Sequence, residues 1–248
     1  MLNIKNLSKT YDNEYYAVEN ISFSVKKGQI VSLLGHNGAG KSTILKIIAS
    51  ILAPTNGNIE IDNISLFSTN SNHLRKIKRN IGFLPENPFQ IDQLTPDEYL
   101  FYIGKLYGIK NDNELTNRID YLINLFNIDN SKSKFIDECS SGLKKRIAIA
   151  SVLINKPGLL LLDEPANNLD PIGVKLLKEY LRKLKNEGTA VLLATHRLEF
   201  SETISDQIII IEKGKSKFQG TLNNLSEKYG SSGNSNSLEE LYSILLKH

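Results

Sequence analysis

Residues 35–43 read GHNGAGKST, a stretch that combines glycines with one lysine and two hydroxyl side chains. The spacing is Gly-x-x-x-x-Gly-Lys-Ser, and its glycines let the backbone wrap closely around an anion with successive N–H groups pointing inward. Lys41 then supplies a positive charge to the β and γ phosphates of a nucleotide, and the Ser42 hydroxyl is placed to hold Mg²⁺. The stretch therefore predicts a loop that binds nucleotide phosphates.

The residues on either side of this loop favour the same interpretation. The apolar run Ile30–Leu34 precedes it, and Ile44–Ile48 follows with helical spacing. Strand, loop and helix then occur in the order that a phosphate loop requires, whereas a chance glycine-rich turn needs no such context. We predict that the whole loop contacts the nucleotide: Gly35, His36, Asn37, Gly38, Ala39, Gly40, Lys41, Ser42 and Thr43.

Composition limits the other classes of function. The 248 residues, 40% of them hydrophobic, allow one large α/β domain or two small ones. Lys and Arg number 30 against 27 Asp and Glu, and this excess of positive charge is too small to predict a nucleic-acid partner. The cluster of basic residues at 75–79 is more typical of a solvated face. The single cysteine, Cys139, excludes an intramolecular disulfide and favours a reducing compartment. We expect neither a signal peptide nor a membrane span, so another chain would have to anchor the protein at a membrane.

The N-terminal third is rich in predicted strands, and helices follow. Strands are predicted at Leu2–Asn6, Ile21–Val25, Ile30–Leu34 and Asn58–Asp62. Thr95 followed by Pro96 and two acids is typical of a helix start, and a second helix is predicted at Glu114–Phe126. From Leu143 the chain alternates between helix and strand: a helix to about Asn155, a strand at Leu159–Leu162, a helix at Pro171–Asn186 and a strand at Ala190–Ala194. This alternation predicts a parallel sheet covered by helices.

The polar stretch Gly230–Ser237 is typical of a flexible linker, and a short amphipathic helix is predicted after it at Leu238–Lys247.

Two adjacent carboxylates, Asp163 and Glu164, end the apolar run Leu159–Leu162. A buried parallel strand would deliver both to its carboxyl edge, where ligands bind in such sheets. We predict that Asp163 is the second Mg²⁺ partner and that Glu164 polarises an attacking water.

Two further features are open to an ordinary structural explanation. His196 ends the next apolar run, and a single histidine after a strand is more often structural. This strand end also faces the phosphates, however, so His196 could contact the γ-phosphate. Ser140, Ser141 and Gly142 precede a helix whose N-terminus favours an anion, but serine is also the ordinary residue at a helix N-cap.

Together these residues resemble the ATP-binding cassette (ABC) ATPases, the motors of ABC transporters, over nearly the whole chain. The family signature is Leu-Ser-Gly-Gly-Gln, and Cys139–Leu143 keeps its serine and second glycine. This variant, followed by Lys-x-Arg, resembles the bacterial cassettes that pair with a separate membrane subunit, mostly for efflux. Glu86 stands where the family has a glutamine, and the resemblance implies contact with Mg²⁺ and the attacking water.

The resemblance assigns further roles. Tyr11 is similar to the aromatic that stacks on adenine, although it could be a surface tyrosine in a turn. Asp170, in the run Asn167–Pro171, resembles the loop that links two active sites. The catalytic residues implied are Glu164, His196 and Glu86; the metal ligands are Ser42, Asp163 and Glu86; the signature residues Ser140, Ser141 and Gly142 act on the nucleotide of another chain.

The family fold is an α/β P-loop NTPase core with a mainly parallel sheet, an N-terminal antiparallel β subdomain and an inserted helical subdomain at about 88–150. The ATPase domain would span 1–222, leaving a linker and a short C-terminal helix at 223–248.

The implied function is binding and hydrolysis of ATP with Mg²⁺, by two cassettes that close head to tail as a homodimer or with a related cassette. The implied partner is an integral membrane permease, contacted near Glu86 to Leu94, at the cytoplasmic face of a bacterial membrane. No nucleic acid is expected. The alternative is a soluble ABC ATPase acting on ribosomes or DNA, although such proteins usually carry two cassettes or long coiled-coil insertions. A P-loop kinase is disfavoured by the signature segment and His196.

Overall fold

The computed structural model describes residues 1–11, 15–67, 71–230 and 237–247. The strands are β1 (Leu2–Thr10), β2 (Tyr16–Val25), β3 (Ile30–Leu34), β4 (Asn56–Ile61), β5 (Ile64–Ser65), β6 (Ile81–Leu84), β7 (Leu159–Asp163), β8 (Ala190–Thr195), β9 (Gln207–Glu212) and β10 (Lys215–Gly220). The helices are α1 (Lys41–Ile48), α2 (Ser71–Arg79), α3 (Pro96–Leu106), α4 (Asp112–Leu125), α5 (Ser141–Leu153), α6 (Pro171–Asn186), α7 (Leu198–Glu202), α8 (Leu222–Tyr229) and α9 (Leu238–Lys247). None of the helices in these ranges combines the length and the apolar character needed to span a membrane.

The N-terminal strands form a four-stranded sheet in the order β2-β1-β4-β5, with antiparallel neighbours. On β1 the side chains of Leu2, Ile4 and Leu7 are buried. The buried side chains thus change from even to odd positions between Ile4 and Leu7. The register of the β1–β2 pair is irregular at the same place, and Asn6 there has a positive φ of 51°, a conformation that asparagine tolerates. This sheet is the predicted antiparallel β subdomain.

A six-stranded sheet forms the centre of the molecule in the order β10-β9-β3-β8-β7-β6. Its strands are parallel except for β10, which pairs antiparallel with β9 at one edge. Every residue of β3, β7 and β8 is buried because helices or the other sheet cover both faces. On β7, Leu159 and Leu161 pack in the cluster that contains α1, while Leu160 and Leu162 pack in the cluster that contains α5 and α6. The predicted α/β class with a mainly parallel sheet is confirmed.

Helices α3, α4 and α5 are inserted between β6 and β7, which are neighbours in the central sheet. At the start of α3 the Glu98 side chain accepts a hydrogen bond from the Thr95 backbone N–H at 2.9 Å, and the Thr95 hydroxyl donates to Asp97 Oδ1. The start of α4 lies two residues before the predicted Glu114, because the Asn111 side chain accepts hydrogen bonds from two backbone N–H groups at its N-terminus. The apolar sides of the three helices share one core with β7 and β8.

The C-terminal part differs from the predicted linker and single helix. Residues 222–229 form the additional helix α8, which Thr221 and Asn224 cap, and Leu225 is fully buried. Helix α9 has the predicted bounds, and its Leu238 and Leu241 are buried in one cluster with Leu34. Residues 231–236 of the predicted linker lie outside the described residues.

Candidate nucleotide-binding site

Of the predicted phosphate-binding stretch at 35–43, residues 35–40 connect β3 to α1 at the carboxyl edge of the central sheet, and residues 41–43 form the first turn of α1. The Lys41 ammonium is turned back into the loop, where Nζ donates to the carbonyl oxygens of Gly35 at 2.7 Å and His36 at 3.0 Å. Gly40 has a φ of 104°, and a Cβ added there would lie 2.2 Å from the Ala17 carbonyl oxygen. Only glycine fits this position, so the tight path of the loop depends on it.

Lys41 is 5% exposed and lies among carboxylates. Burial lowers the pKa of its ammonium, and the negative charges of Glu164, Asp163 and Glu86, in decreasing order, raise that pKa. The structure therefore brings together the predicted phosphate lysine and three predicted acidic residues.

Asp163 is the last residue of β7 and is 2% exposed. Burial raises the pKa of its carboxyl group, whereas a hydrogen bond from the Ser42 side chain lowers it. The Oδ1 atom is buried and has no hydrogen-bond partner among the described residues. An unpaired carboxylate oxygen beside a serine hydroxyl fits Mg²⁺, which is usually held by one or two carboxylates together with substrate phosphates. No group of three or more His, Cys, Asp or Glu side chains within the described ranges forms a metal cage by itself.

Glu164 follows directly and is bound to the end of the neighbouring strand β8. Its Oε2 accepts a hydrogen bond from Thr195 Oγ1 at 2.8 Å, and its Oε1 accepts from the His196 backbone N–H at 3.0 Å. His196 Nδ1 lies 2.8 Å from the same Oε1. Glu164 has a φ of 45°, uncommon for a non-glycine residue, and is 4% exposed. These contacts fix the carboxylate at the edge of the sheet where the phosphate loop begins.

Glu86 lies in the segment between β6 and α3 and is exposed. Its backbone carbonyl oxygen accepts a hydrogen bond from Lys145 Nζ at 3.2 Å. Lys145, on α5, is 3% exposed, and the sequence analysis did not assign it to the site. Burial lowers the pKa of Lys145, while Asp163, Glu86 and Glu164, in that order, raise it. The site thus contains a second buried ammonium.

A family model described as "ABC transporter" matches residues 18–167, more than half of the chain. The chain belongs to the ABC transporter family. Among the relatives it resembles is the ABC transporter ATP-binding protein NatA of Bacillus subtilis, which is 34% identical over 212 residues, covering 85% of this chain and 84% of NatA.

Solved ABC cassettes have the same architecture. An ATP-binding subunit of an ABC transporter superposes with a TM-score of 0.89 at 32% identity and covers 99% of both chains. The cassette MJ0796, in a dimeric post-hydrolysis state bound to ADP and Pi, superposes with a TM-score of 0.79 at 29% identity, covering 89% of this chain and 98% of MJ0796. These matches confirm the predicted cassette fold.

The signature segment of this ABC cassette caps a helix in the isolated chain. Ser140 Oγ accepts a hydrogen bond from the Leu143 backbone N–H at 3.3 Å, and Ser141 is exposed. A Cβ at Gly142 would lie 3.0 Å from the Asn168 carbonyl oxygen. No hydrogen bond between described residues connects this segment to the phosphate loop of its own chain.

Asp170 and Tyr11 both contact residues of their own chain. Asp170 caps α6 by accepting from the Gly173 backbone N–H at 3.0 Å, and it forms an ion pair with Arg146 that lowers the pKa of its carboxyl group. Tyr11 follows β1, is 48% exposed and has Lys9 Nζ 5.4 Å from its ring centre. The predicted roles of both residues remain predictions.

Proposed function

We propose that this ABC cassette binds ATP with Mg²⁺, hydrolyses it, and powers transport through a separate membrane subunit. The observation that carries the proposal is the convergence of Lys41, the unpaired Oδ1 of Asp163 and the oriented carboxylate of Glu164 at one edge of the sheet. A phosphate loop, a metal-ligand carboxylate and an oriented carboxylate base are the parts that phosphoryl transfer to water requires.

Lys41 is the proposed phosphate contact. Its ammonium donates hydrogen bonds to the carbonyl oxygens of Gly35 and His36. In the proposed complex the same ammonium would donate to the β and γ phosphate oxygens, while the N–H groups of the loop and of the N-terminus of α1 face the phosphates. Ser42 and Asp163 would hold Mg²⁺, which neutralises phosphate charge when bound.

Glu164 is the proposed general base. Its carboxylate polarises a water that attacks the γ-phosphorus, while the bond from that phosphorus to the β–γ bridging oxygen breaks and ADP leaves. Thr195 and His196 fix the direction of the carboxylate through their hydrogen bonds to it. His196 is 47% exposed in its side chain, so its ring also remains accessible to the γ-phosphate.

We further propose that Ser140, Ser141 and Gly142 complete the site of a second cassette. In one chain this segment is partly exposed at the N-terminus of α5 and is not hydrogen-bonded to the phosphate loop. A helix N-terminus is a favourable place for a phosphate, so a partner's nucleotide would supply the anion that this chain does not. The MJ0796 cassette, which is dimeric in its state bound to ADP and Pi, supports a dimer of cassettes, and we propose that the two chains lie head to tail. In that dimer, Asp170 would lie between the two sites.

A groove of about 350 Å³ beside the Glu86 segment is the proposed seat of the membrane subunit. Phe83, Pro88 and Phe89 line it together with Tyr99 and Tyr107, and Phe89 is 85% exposed. So exposed an aromatic beside an apolar groove is typical of a protein interface. We propose that the cassette works at the cytoplasmic face of a bacterial membrane, which the resemblance to cassettes that pair with a separate membrane subunit supports.

The signature variant at 139–143 and Glu86 support the export direction through their resemblance to efflux-type cassettes. The net charge of +3 offers no support for the alternative, a soluble ATPase on ribosomes or DNA. Co-purification in detergent separates the two: a polytopic membrane protein agrees with transport, and ribosomal RNA or DNA with the alternative.

Lys41→Ala tests the nucleotide site itself. Loss of the ammonium should weaken ATP binding and abolish hydrolysis, because a charge-assisted contact to the phosphates is removed. Calorimetric titration and phosphate release are the measurements, and Lys46→Ala, on an exposed position of the same helix, is the matched control. ATP affinity unchanged in Lys41→Ala, with the fold intact, would contradict the proposed site.

A further inference from the structure

Lys145 is a buried lysine in a helix whose other basic residues near the site are more exposed. Its side chain is 3% exposed, whereas the neighbouring Lys144 and Arg146 are partly exposed. Taking an ammonium out of water is costly unless it has hydrogen-bond and charge partners. The hydrogen bond that Lys145 donates goes to the backbone carbonyl of Glu86, 59 residues away in sequence.

The charge partners of Lys145 are the three carboxylates of the proposed catalytic site. Asp163, Glu86 and Glu164 all stabilise its ammonium, and the same three act on Lys41. The charges gathered here are therefore two positive and three negative. Asp163 and Glu164 are buried and Glu86 is exposed, so loss of Lys145 would leave Lys41 as the remaining ammonium of this pair and increase the repulsion between the carboxylates.

We propose that Lys145 is a positioning residue for ATP hydrolysis, which ties the Glu86 segment to α5 and balances the carboxylate of Glu86. The inference rests on the proposed function, because positioning matters only if Glu86 lies at the reacting centre. A neutral glutamine at position 86 would need no balancing charge, whereas Glu86 does.

The same contact links two parts of the molecule that the proposed function uses separately. Lys145 is five residues after Ser140, on the helix that begins at the signature segment. Glu86 belongs to the segment beside the groove proposed for the membrane subunit. A second hydrogen bond joins the same two parts, from Gln90 Nε2 to the Lys144 carbonyl oxygen at 3.1 Å, so Lys145 belongs to a short seam between α5 and the Glu86 segment.

The first measurement is hydrogen exchange of residues 84–92 in the full chain without nucleotide. Lys145→Met removes charge and donor but keeps the apolar stem, and Lys178→Met is the control, because Lys178 is also partly buried but has none of the three carboxylates near it. We expect exchange in 84–92 to be at least about fivefold faster in Lys145→Met than in Lys178→Met, because local opening is easier without the contact that Lys145 makes.

The second measurement is steady-state ATPase activity, which tests the balance of charge. Lys145→Met should lower kcat roughly tenfold and leave KM for ATP within about twofold of the wild-type value. The reason is that the variant loses the geometry of the reacting groups but keeps the contacts that bind the phosphates. Adding Glu86→Gln to that variant should recover most of the lost rate, because the unbalanced carboxylate is gone. Lys145→Arg should stay close to wild type. Lys145→Gln provides a second neutral variant with the same expected recovery, should Lys145→Met not fold.

Equal exchange and equal kcat in Lys145→Met and Lys178→Met would overturn the proposal. If Lys145→Met lowers kcat and the added Glu86→Gln change does not recover it, the charge-balancing role is overturned. A wild-type chain that binds but never hydrolyses ATP would refute the proposed function instead, and the exchange measurement would still decide whether the contact that Lys145 makes holds the Glu86 segment.

Discussion

The phosphate edge, formed by Lys41, Asp163 and Glu164, is buried, whereas the signature segment at 139–143 is partly exposed. Lys41 donates a hydrogen bond to the Gly35 carbonyl oxygen, and Glu164 accepts one from Thr195 Oγ1. In the signature segment of the single chain, Ser140 only caps a helix. The buried residues are fixed by their own chain, whereas the exposed signature segment is proposed to act on the nucleotide of a second chain.

Glu164→Gln should have the largest effect, at the phosphate edge. The amide keeps the size of the side chain and can still accept from Thr195, but it cannot act as a base, so hydrolysis should fall by about 10² to 10⁴-fold while ATP binding persists. Phosphate release and nucleotide titration are the measurements. Glu187→Gln, an exposed glutamate at the end of α6, is the control. Hydrolysis within twofold of wild type would remove Glu164 from the base role.

The same variant should also accumulate as a dimer with ATP, because binding closes the cassettes and the step that reopens them is blocked. Sedimentation with and without MgATP measures this. Only monomer at saturating ATP would break the proposed link between binding and closure.

Gly142→Asp should have the next largest effect, on the signature side. The new carboxylate would face the γ-phosphate of a partner's nucleotide, and repulsion in a partly desolvated site should lower hydrolysis by about tenfold or more while the monomer still binds ATP. Gly142→Ala is the matched control, because it brings the same Cβ near the Asn168 carbonyl oxygen without a charge. If both variants lose the same activity, steric contact and not charge explains the loss.

Tyr11→Ala should have the smallest effect. A ring that stacks on adenine should contribute about 1 to 3 kcal/mol to binding, by analogy with aromatic–base stacking in other proteins. Calorimetric titration measures it against Tyr102→Ala, a tyrosine of similar exposure on α3. Equal affinities in the two variants would identify Tyr11 as an ordinary surface tyrosine.

The phosphate edge was predictable because its information is local. The loop at 35–43 and the acids after Leu162 lie directly at the ends of apolar runs, and parallel pairing then brings strand ends to one edge. The strand β9 also had a local signal, four isoleucines before a Lys-Gly turn, although no strand was predicted there.

Lys145 depends on tertiary contacts and could not be found in this way. It is one of three consecutive basic residues, and only the packing of α5 shows that it points inward. Helix α8 carried a local signal, because Leu222, Leu225 and Tyr229 have helical spacing after the N-cap Thr221, although no helix was predicted there. Its contact with the edge of the sheet and with α9 is a tertiary feature that this signal does not give.

Complementation between Lys41→Ala and Gly142→Asp tests the central claim most directly, that each active site is shared by two chains. In a mixed head-to-tail dimer one site collects both lesions, and the other pairs an intact loop with an intact signature. Equal mixing should therefore restore about one quarter of the wild-type sites, provided that one working site supports turnover. We predict recovered ATPase activity from two inactive variants. Heterodimers that form, as shown by pull-down through two different tags, but remain inactive would contradict the shared site.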